Sequence, residues 1–468
     1  MLFSSITFLY YFLPVLFIVY FLTPKKFKNL VLLLSSVLFY FWGEPMYLLL
    51  MFFSIFASWF LGLFIDKYKD NKRVSKILMI ISVSISLGLL CIFKYADFFV
   101  SNFNNLTGLN VKLLGLILPI GISFYTFQIL SYTIDLYRQA MPVQKNVLNF
   151  ATYIMLFPQL IAGPIVRYID IEKELQHRVH SLQGFSKGAM RFCIGLGKKV
   201  LISNNLYELC EIYRNSEENS VLFTWIYVVA YALHIYFDFS GYSDMAIGLG
   251  HIFGFKFLEN FNYPYISKSI TEFWRRWHMS LGSFFRDYVY FPMGGNRVSV
   301  PKHIFNILVV WALTGFWHGA GWNFIVWGLY FALVLLIEKY LLKDLLEKAP
   351  KFISHLYVFV AISISWPFFE SNNLADSFTE IGHLFGIGSE NLIGSESLYQ
   401  LRSYLFLIII AAIGATPIPK MLVNNLAKNK IGKNILIVGC PVLICVLFIL
   451  TTAYLIDGSF NPFIYFRF

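Results

Sequence analysis

Long apolar stretches that carry almost no charge recur along the whole chain, and they constrain its fold more than any other feature. A clear case is residues 303–337, which contain no Asp, Glu, Lys or Arg. A helix of about 20 apolar residues is long enough to cross the hydrocarbon core of a bilayer. The chain is therefore predicted to be an all-α polytopic membrane protein with about 11–12 transmembrane helices and some shorter, re-entrant ones.

The composition leaves no room for a separate soluble domain. Only 13% of the 468 residues are charged and 58% are hydrophobic, whereas soluble domains average about 25% charged residues. Residues 1–468 are therefore predicted to form one membrane-embedded domain, in which 435–468 comprise the last crossing and a C-terminal tail. The first 22 residues lack the basic region with which a signal peptide begins, so they are interpreted as an uncleaved first helix.

The positive charge follows the topology of a membrane protein. The net charge of +11 comes from short loops between apolar stretches, which is the positive-inside pattern and not a nucleic-acid footprint. Basic loops at 25–28 and 66–76 are predicted to be cytoplasmic, and the acidic loop at 370–400 to be outside. This count places both the N-terminus and the C-terminal tail outside. The five scattered cysteines predict neither a disulfide framework nor a metal site.

Glycine and proline residues set the expected helix boundaries. Residues 113–134 and 221–239 are predicted as crossings, and the chain from Gly241 to Lys302 is expected to be broken. Residues 149–164 contain two prolines and a glycine. This segment is therefore predicted to enter and leave the membrane on the same side, which requires surrounding protein or a cavity.

One histidine interrupts the uncharged stretch. His318 stands between two predicted crossings, 303–318 and 322–337, with Thr314 and Gly315 on its own helical face. An imidazole inside a membrane is costly and usually functional. Burial keeps it neutral and able to accept a proton from a hydroxyl, which is what a general base requires. The alternative is a polar contact between helices.

A second histidine lies in a basic, aromatic segment. His278 is flanked by Arg275, Arg276 and Arg286, and arginine binds phosphate through two parallel hydrogen bonds. A basic stripe beside a histidine on the cytoplasmic side indicates a phosphate-bearing donor. The alternative is positive-inside anchoring, with Trp274 in an aromatic belt at the membrane interface.

Further polar residues lie in apolar surroundings and have two possible roles. Gln128, Ser131 and Asp135 share one helical face, and Asp238 and Asp244 lie close together in a later stretch. They either line a tunnel or form hydrogen bonds between helices.

Six stretches, taken in their order along the chain, resemble the membrane-bound O-acyltransferase family, and most closely its bacterial alginate and peptidoglycan O-acetylation branch. The resemblance covers nearly the whole chain. The stretches are QILSYTIDLYR at 128–138, FPQLIAGPIVR at 157–167, FDFSGYSDMAIG at 237–248, NYPYISKSITEFWRRWHMSL at 262–281, RDYVYFPMGGNR at 286–297 and WHGAGWNFIVWG at 317–328.

The resemblance implies a ring of helices around a central tunnel that joins a cytoplasmic donor funnel to the other face. It implies that His318 is catalytic, that His278 is its partner, and that Trp274, Trp317 and Asn323 contribute to donor or substrate binding. The acyl donor would be acetyl-CoA, with no permanently bound cofactor. His318 would take the proton of an acceptor hydroxyl, while His278 orients the donor or helps the thiol to leave.

The same resemblance implies a setting and partners. The protein would be a multi-pass protein of the bacterial cytoplasmic membrane that passes acetyl groups to an exported or cell-surface polysaccharide. An extracytoplasmic O-acetyltransferase partner would complete the transfer. Alginate, peptidoglycan and other exopolysaccharides all suit this scheme as final acceptors.

The C-terminal tail carries one more candidate. Its sequence FIYFRF at 463–468 resembles an F-x-Y-x-x-F tail found in this family or in its small partner proteins. Tyr465 is therefore a candidate acyl relay, and the alternative is an aromatic anchor at the membrane interface.

Two other functions are compatible with the same residues. A lipid or solute transporter could place histidines along its path without acyl chemistry, and would not consume a thioester. A structural scaffold of an export complex would tolerate substitution of both histidines.

Overall fold

The computed structural model describes residues 1–161 and 163–458. Within that part, regular structure is helical apart from one isolated bridge between Ser220 and Asn391. The expectation of an all-α polytopic membrane protein is confirmed, because seven helical segments are long and apolar enough to cross a membrane, and shorter apolar helices such as Thr7–Leu22 add to them. The seven are Leu48–Lys67, Lys72–Thr107, Val221–Phe253, Trp322–Lys348, Lys351–Glu370, Ser395–Gly414 and Lys430–Ile456.

The described residues form two compact units. The first comprises Met1–Ala189 and Ala246–Leu258, and the second comprises Met190–Met245 and the described residues from 259 onward. Besides the segments above, the first unit contains Lys28–Gly43, Ile122–Tyr137, Val147–Met155, Phe157–Leu160 and Tyr168–Gln176.

A helix of the first unit begins later than the sequence predicted. The expected crossing at 113–134 was wrong at its start, because the helix runs from Ile122 to Tyr137. Gly121 precedes it with φ +75°, a left-handed conformation that glycine adopts without steric penalty. A Cβ atom there would lie 2.7 Å from the carbonyl oxygen of Leu160. The chain before Gly121 is therefore not helical.

The segment predicted to be re-entrant is divided into two short helices. Val147–Met155 and Phe157–Leu160 meet at Leu156, whose φ and ψ are −50° and 107°. The Phe157 N–H donates to Ser36 Oγ at 3.1 Å. Neither helix approaches the length of about 20 residues that a crossing needs, so the segment does not span as one helix.

The second unit carries the candidate site. Leu182–Gly197 and Val221–Phe253 each contribute to both units. The second unit also contains shorter helices and helical turns, which are Lys198–Ser203, Asn204–Asn215, Pro264–Ile266, Ile270–Arg276, Met279–Phe285, Arg286–Tyr290, Val300–His318, Trp322–Ile337, Glu338–Leu342, Lys343–Lys348, Leu374–Leu384 and Ile418–Leu426.

The break expected at Gly241 was also wrong. The helix continues from Val221 to Phe253 without interruption. Gly241 faces Gly195, and a Cβ on either glycine would lie within 2.8 Å of the other's carbonyl oxygen. Small residues at such a contact let two helix backbones approach closely. Gly241 is therefore a packing residue in an uninterrupted helix.

Two helices form a hairpin that presents His318. They are Val300–His318 and Trp322–Ile337, as the sequence predicted, and Gly319 to Gly321 join them. A Cβ at Gly315 would collide with the Phe324 carbonyl oxygen, so this glycine allows the close pairing. We call this pair the histidine hairpin.

Candidate active site

His318 ends the first helix of the histidine hairpin and is surrounded by aromatic rings. Its side chain is only 5% exposed. Its ring centroid lies 5.1 Å from that of Trp327 and 5.1 Å from that of Phe369, both at steep interplanar angles. Such edge-to-face contacts fix the plane of the imidazole.

Asn323 ties the turn after His318 to another helix. Its Nδ2 donates to the carbonyl oxygens of Phe368 at 3.2 Å and Ser371 at 3.0 Å. These carbonyls belong to the C-terminal end of Lys351–Glu370, where helices leave acceptors unpaired. Asn323, which the resemblance implied in substrate binding, thus also holds Phe369 beside His318.

His278 occupies a strained turn between two short helices, Ile270–Arg276 and Met279–Phe285. Its φ of +45° lies in the left-handed region, which costs about 1–3 kcal/mol for a residue with a side chain. The turn is held because the Met279 N–H donates to the Asn260 carbonyl oxygen at 3.0 Å. A fixed backbone therefore sets where the imidazole lies.

The side chain of Asn260 also holds the imidazole. Its Oδ1 lies 3.2 Å from His278 Nδ1 and accepts the Ser280 N–H at 3.1 Å. The His278 ring meets Phe239 edge to face, with centroids 4.7 Å apart. Burial lowers the pKa of His278 to about 3, so the imidazole is neutral at physiological pH.

The two predicted histidines are brought close together, with one indole between them. The Trp317 ring centroid lies 6.0 Å from that of His278 and 5.0 Å from that of His318. Trp317 is 5% exposed. The three residues that the sequence placed in one site thus form one contiguous cluster.

A large cavity adjoins this cluster, and we call it the basic cavity. Its volume is about 1740 Å³, and His278, Trp274 and Trp277 line it. On the first helix of the histidine hairpin, the last described residue that lines the cavity is Thr314, one helical turn before His318. Lysine and arginine predominate over the acidic lining residues Glu338 and Glu347. The cationic lining residues are Lys268, Arg275, Arg286, Arg297, Lys339, Lys343 and Lys351.

The three arginines predicted to bind phosphate separate in the structure. Arg275 and Arg286 line the basic cavity, whereas Arg276 is not among the described residues that line it. Arg276 instead pairs with Glu272 at 2.8 Å. Arg286 contacts its neighbour Asp287 at 2.7 Å. The Arg276 guanidinium also donates to the Asn262 carbonyl oxygen at 3.0 Å, so a role of Arg276 in phosphate binding stays a prediction.

A second histidine of the cavity wall escaped the sequence analysis. His303 Nδ1 lies 2.8 Å from Tyr340 Oη, and its Nε2 lies 3.1 Å from both Tyr290 Oη and Lys339 Nζ. His303, Tyr290 and Lys339 all line the basic cavity. The sequence offered one signal for this group: His303 is the first residue of the uncharged stretch, and Lys339 follows shortly after its last residue.

Asp238 and Asp244 both form ion pairs within the second unit. Asp238 lies 2.5 Å from Lys199, and each side chain is 1% exposed. Asp244 is bound by Arg191 at 2.8 Å and Lys198 at 2.7 Å. The two consecutive lysines belong to the π-helical turn Lys198–Ser203, and such turns are frequent at functional sites.

The other polar candidates lie elsewhere or outside the described part. Gln128, Ser131 and Asp135 are buried in a helix of the first unit. Ser131 Oγ donates to the Gln128 carbonyl oxygen at 2.8 Å. None of the three is among the described residues that line the basic cavity. Tyr465 lies outside the described residues.

Comparison with known sequences decides the family. A sequence model of the MBOAT, membrane-bound O-acyltransferase family, matches residues 36–346. The chain belongs to this family. It is accordingly an O-acyltransferase. His278 and His318 lie within the matched region, as do most of the residues that line the basic cavity.

Relatives within the membrane-bound O-acyltransferase family cover most or all of the chain. A probable alginate O-acetylase AlgI of Azotobacter vinelandii is 36% identical over 100% of both chains. A peptidoglycan O-acetyltransferase of Helicobacter pylori is 34% identical over 84% of this chain and 81% of its own. A teichoic acid D-alanyltransferase of Bacillus subtilis is 31% identical over 46% of this chain and 58% of its own. The resemblance to the O-acetylation branch is confirmed.

Proposed function

We propose that this O-acyltransferase moves acetyl groups from cytoplasmic acetyl-CoA across the membrane for the O-acetylation of a cell-surface or exported polysaccharide. One observation carries the proposal: His278 stands in the wall of a large cavity whose other lining residues are rich in lysine and arginine. Cationic side chains bind the phosphates of a nucleotide. The thioester end then lies towards the aromatic cluster that contains His318.

The reaction is an acyl transfer between a thioester and a hydroxyl. His318 acts as general base and takes the hydroxyl proton while the oxygen attacks the carbonyl carbon. The carbon–sulfur bond breaks, and the thiolate that leaves takes the proton that His318 had accepted. His318 thereby returns to its neutral state.

The acceptor and the direction of transfer come from the relatives and the charge pattern. Two of the relatives are named for acetylation of alginate and of peptidoglycan, so a polysaccharide hydroxyl is the acceptor we propose. The positive-inside pattern supports a donor site on the cytoplasmic side of a bacterial cytoplasmic membrane, with both termini outside. An extracytoplasmic partner transferase, with Tyr465 as the acyl relay, would pass the group to the polymer.

Substitution of His318 tests this function. His318→Ala, expressed at the wild-type level, should reduce the O-acetyl content of surface polymer by about 10²- to 10⁴-fold, the usual contribution of a positioned base. Normal acetylation in these cells would refute the role of His318. Tyr465→Phe should abolish transfer only if the tail is the relay, so full activity of that variant removes the relay and leaves the enzyme assignment intact.

A different measurement distinguishes acyl transfer from the transporter alternative. Purified protein with its partner proteins should release CoA from acetyl-CoA labelled in the acetyl group. Release that depends on His318 supports acyl transfer. A protein that moves substrate across vesicles and never releases CoA would be a transporter.

A further inference from the structure

The side-chain amide of Asn260 has only one possible orientation. Oδ1 accepts the Ser280 N–H at 3.1 Å, and a backbone N–H can only donate. The atom at that position must therefore be the oxygen and not the amide nitrogen. The same oxygen lies 3.2 Å from His278 Nδ1. Because Oδ1 carries no hydrogen, the Nδ1 atom of His278 must be the donor in this contact.

This contact also determines the protonation state of the other ring nitrogen, Nε2. A neutral imidazole carries one proton, so a ring protonated at Nδ1 has a lone pair at Nε2. Among the residues that the structure describes, His278 Nε2 has no hydrogen-bond partner although the residue is 2% exposed. A buried polar atom left unpaired is costly. His278 lines the basic cavity, so Nε2 is the nitrogen that remains for a ligand there.

We infer that Asn260 is a positioning residue that fixes the tautomer of His278 and thereby makes Nε2 a hydrogen-bond acceptor for the acyl donor. The group it receives is an N–H donor close to the thioester, such as an amide of a pantetheine-type arm. The inference rests on the proposed function for the identity of the donor. It also decides between the two roles expected for His278, because a nitrogen without a proton cannot protonate a leaving thiolate in the resting enzyme.

The surroundings of the ring support this state. Among the described residues, the His278 ring contacts Asn260, the Phe239 ring and the Trp317 ring, and none of these three carries a charge. Arg275 and Arg286 are charged groups that line the same cavity. Burial alone accounts for the lowered pKa of the imidazole. The left-handed backbone of His278 is held by two N–H groups, those of Met279 and Ser280, that donate to Asn260. One asparagine thus fixes the backbone turn and the tautomer together.

Substitutions of His278 separate the acceptor role from an acid role. In His278→Gln the amide oxygen reaches the region of Nε2, whereas in His278→Asn the shorter side chain reaches only the region of Nδ1. We expect the Gln variant to keep the donor KM and turnover within about tenfold of wild type, and the Asn variant to lose on the order of a hundredfold, as misplaced groups do. Equal losses in two folded variants would overturn the acceptor role.

Substitutions of Asn260 test the positioning role by a pH profile. Asn260→Asp keeps the acceptor oxygen but adds a negative charge that favours the imidazolium, which raises the pKa of the ring. Turnover of this variant should fall as the pH is lowered from about 8 to 5, because Nε2 becomes protonated. Wild type should show no such acid limb. Asn262→Ala is the matched control, since Asn262 is exposed and its hydrogen bonds with Arg276 use only the backbone atoms of Asn262.

A spectroscopic measurement makes the result independent of catalysis. ¹⁵N NMR of histidine-labelled protein, with the His278 signal assigned by its loss in His278→Gln, should show a lone-pair nitrogen at Nε2 and a protonated Nδ1. The opposite tautomer in wild type would overturn the inference even if acetyl transfer is normal. The expected tautomer in a protein that never transfers acetyl would leave the positioning role standing and refute the proposed function instead.

Discussion

His278 and His318 are separated by a single side chain, the indole of Trp317, whose centroid lies 6.0 Å from the first imidazole and 5.0 Å from the second. The first histidine lines the basic cavity, and on the helix of the second the last described residue that lines this cavity lies one helical turn before it. The ring of Trp317 therefore contacts both imidazoles, and its removal should change the space between them.

Removal of this indole should uncouple donor consumption from transfer. In Trp317→Ala we expect acetyl transfer to polymer to fall by on the order of a hundredfold, because the reacting groups lose their spacing. CoA release should fall less, since water can enter the space and hydrolyse the thioester. The measurement is the ratio of CoA released to acetyl transferred.

Two controls accompany this variant. Trp317→Phe keeps an aromatic ring between the histidines and should lie between wild type and Ala. Trp42→Ala removes an exposed indole in the other unit and should leave the ratio unchanged. A Trp317→Ala protein that still transfers one acetyl group for each CoA released would show that the indole is not needed to couple the two.

Lys339 should contribute to donor affinity. Its Nζ uses one N–H for His303 Nε2 at 3.1 Å, which leaves further N–H groups for an anion in the basic cavity. Loss of a charged hydrogen bond costs about 1.5–3 kcal/mol. Lys339→Met should accordingly raise the KM for acetyl-CoA by about 10- to 100-fold with a smaller change in kcat.

Lys348→Met is the matched control, because Lys348 is not among the described residues that line the cavity. Its KM should equal that of wild type. Equal effects of the two substitutions would indicate a general loss of positive charge and not a specific phosphate contact.

The apolar pattern predicted the class of fold, but not the contacts that decide local structure. Residues 303–318 and 322–337 were predicted as helices because a bilayer imposes length and apolarity on each crossing. Gly241 was interpreted as a break, since glycine weakens an isolated helix. In the fold it faces Gly195, and no local pattern around either residue encodes that distant pairing.

The candidate site was predictable only in part, for a similar reason. His318 and His278 stood out because ionisable groups are rare in such surroundings. Asn260 lies 18 residues before His278 in the chain, in a stretch where asparagine ordinarily indicates a turn. Its role depends on two segments meeting in space, and such a contact leaves no mark in the local sequence. The pairing of Arg276 with Glu272 is of the opposite kind, because the two residues are four positions apart on one helix.

Asn323 should stabilise the fold and the site together. Asn323→Leu removes the two hydrogen bonds to the Phe368 and Ser371 carbonyls. Leaving a buried acceptor unpaired costs about 1–3 kcal/mol, so the thermal midpoint in detergent should fall. Acetyl transfer should fall as well, because Phe369 would no longer be held against His318. Asn391→Leu, at an exposed position, should change neither the thermal midpoint nor acetyl transfer. A normal midpoint in Asn323→Leu would contradict the structural role of Asn323.

The buried pair of Lys199 and Asp238 should behave as a unit. Their charged atoms lie 2.5 Å apart and each side chain is 1% exposed. Lys199→Met leaves an uncompensated carboxylate, and breaking a buried pair in this way typically costs about 3–5 kcal/mol. Thermal unfolding in detergent should therefore show a strongly destabilised single variant, whereas Lys433→Met, at an exposed position, should match wild type.

The double variant separates a structural role from a place on the reaction path. Lys199→Met with Asp238→Leu replaces both charges by apolar groups, and such replacements of a buried pair are often neutral in stability. If Asp238 only pairs with Lys199, the double variant should recover both stability and acetyl transfer. Recovery of stability without recovery of transfer would mean that the pair also acts on the reacting groups, in keeping with the contact between the neighbouring Phe239 and His278.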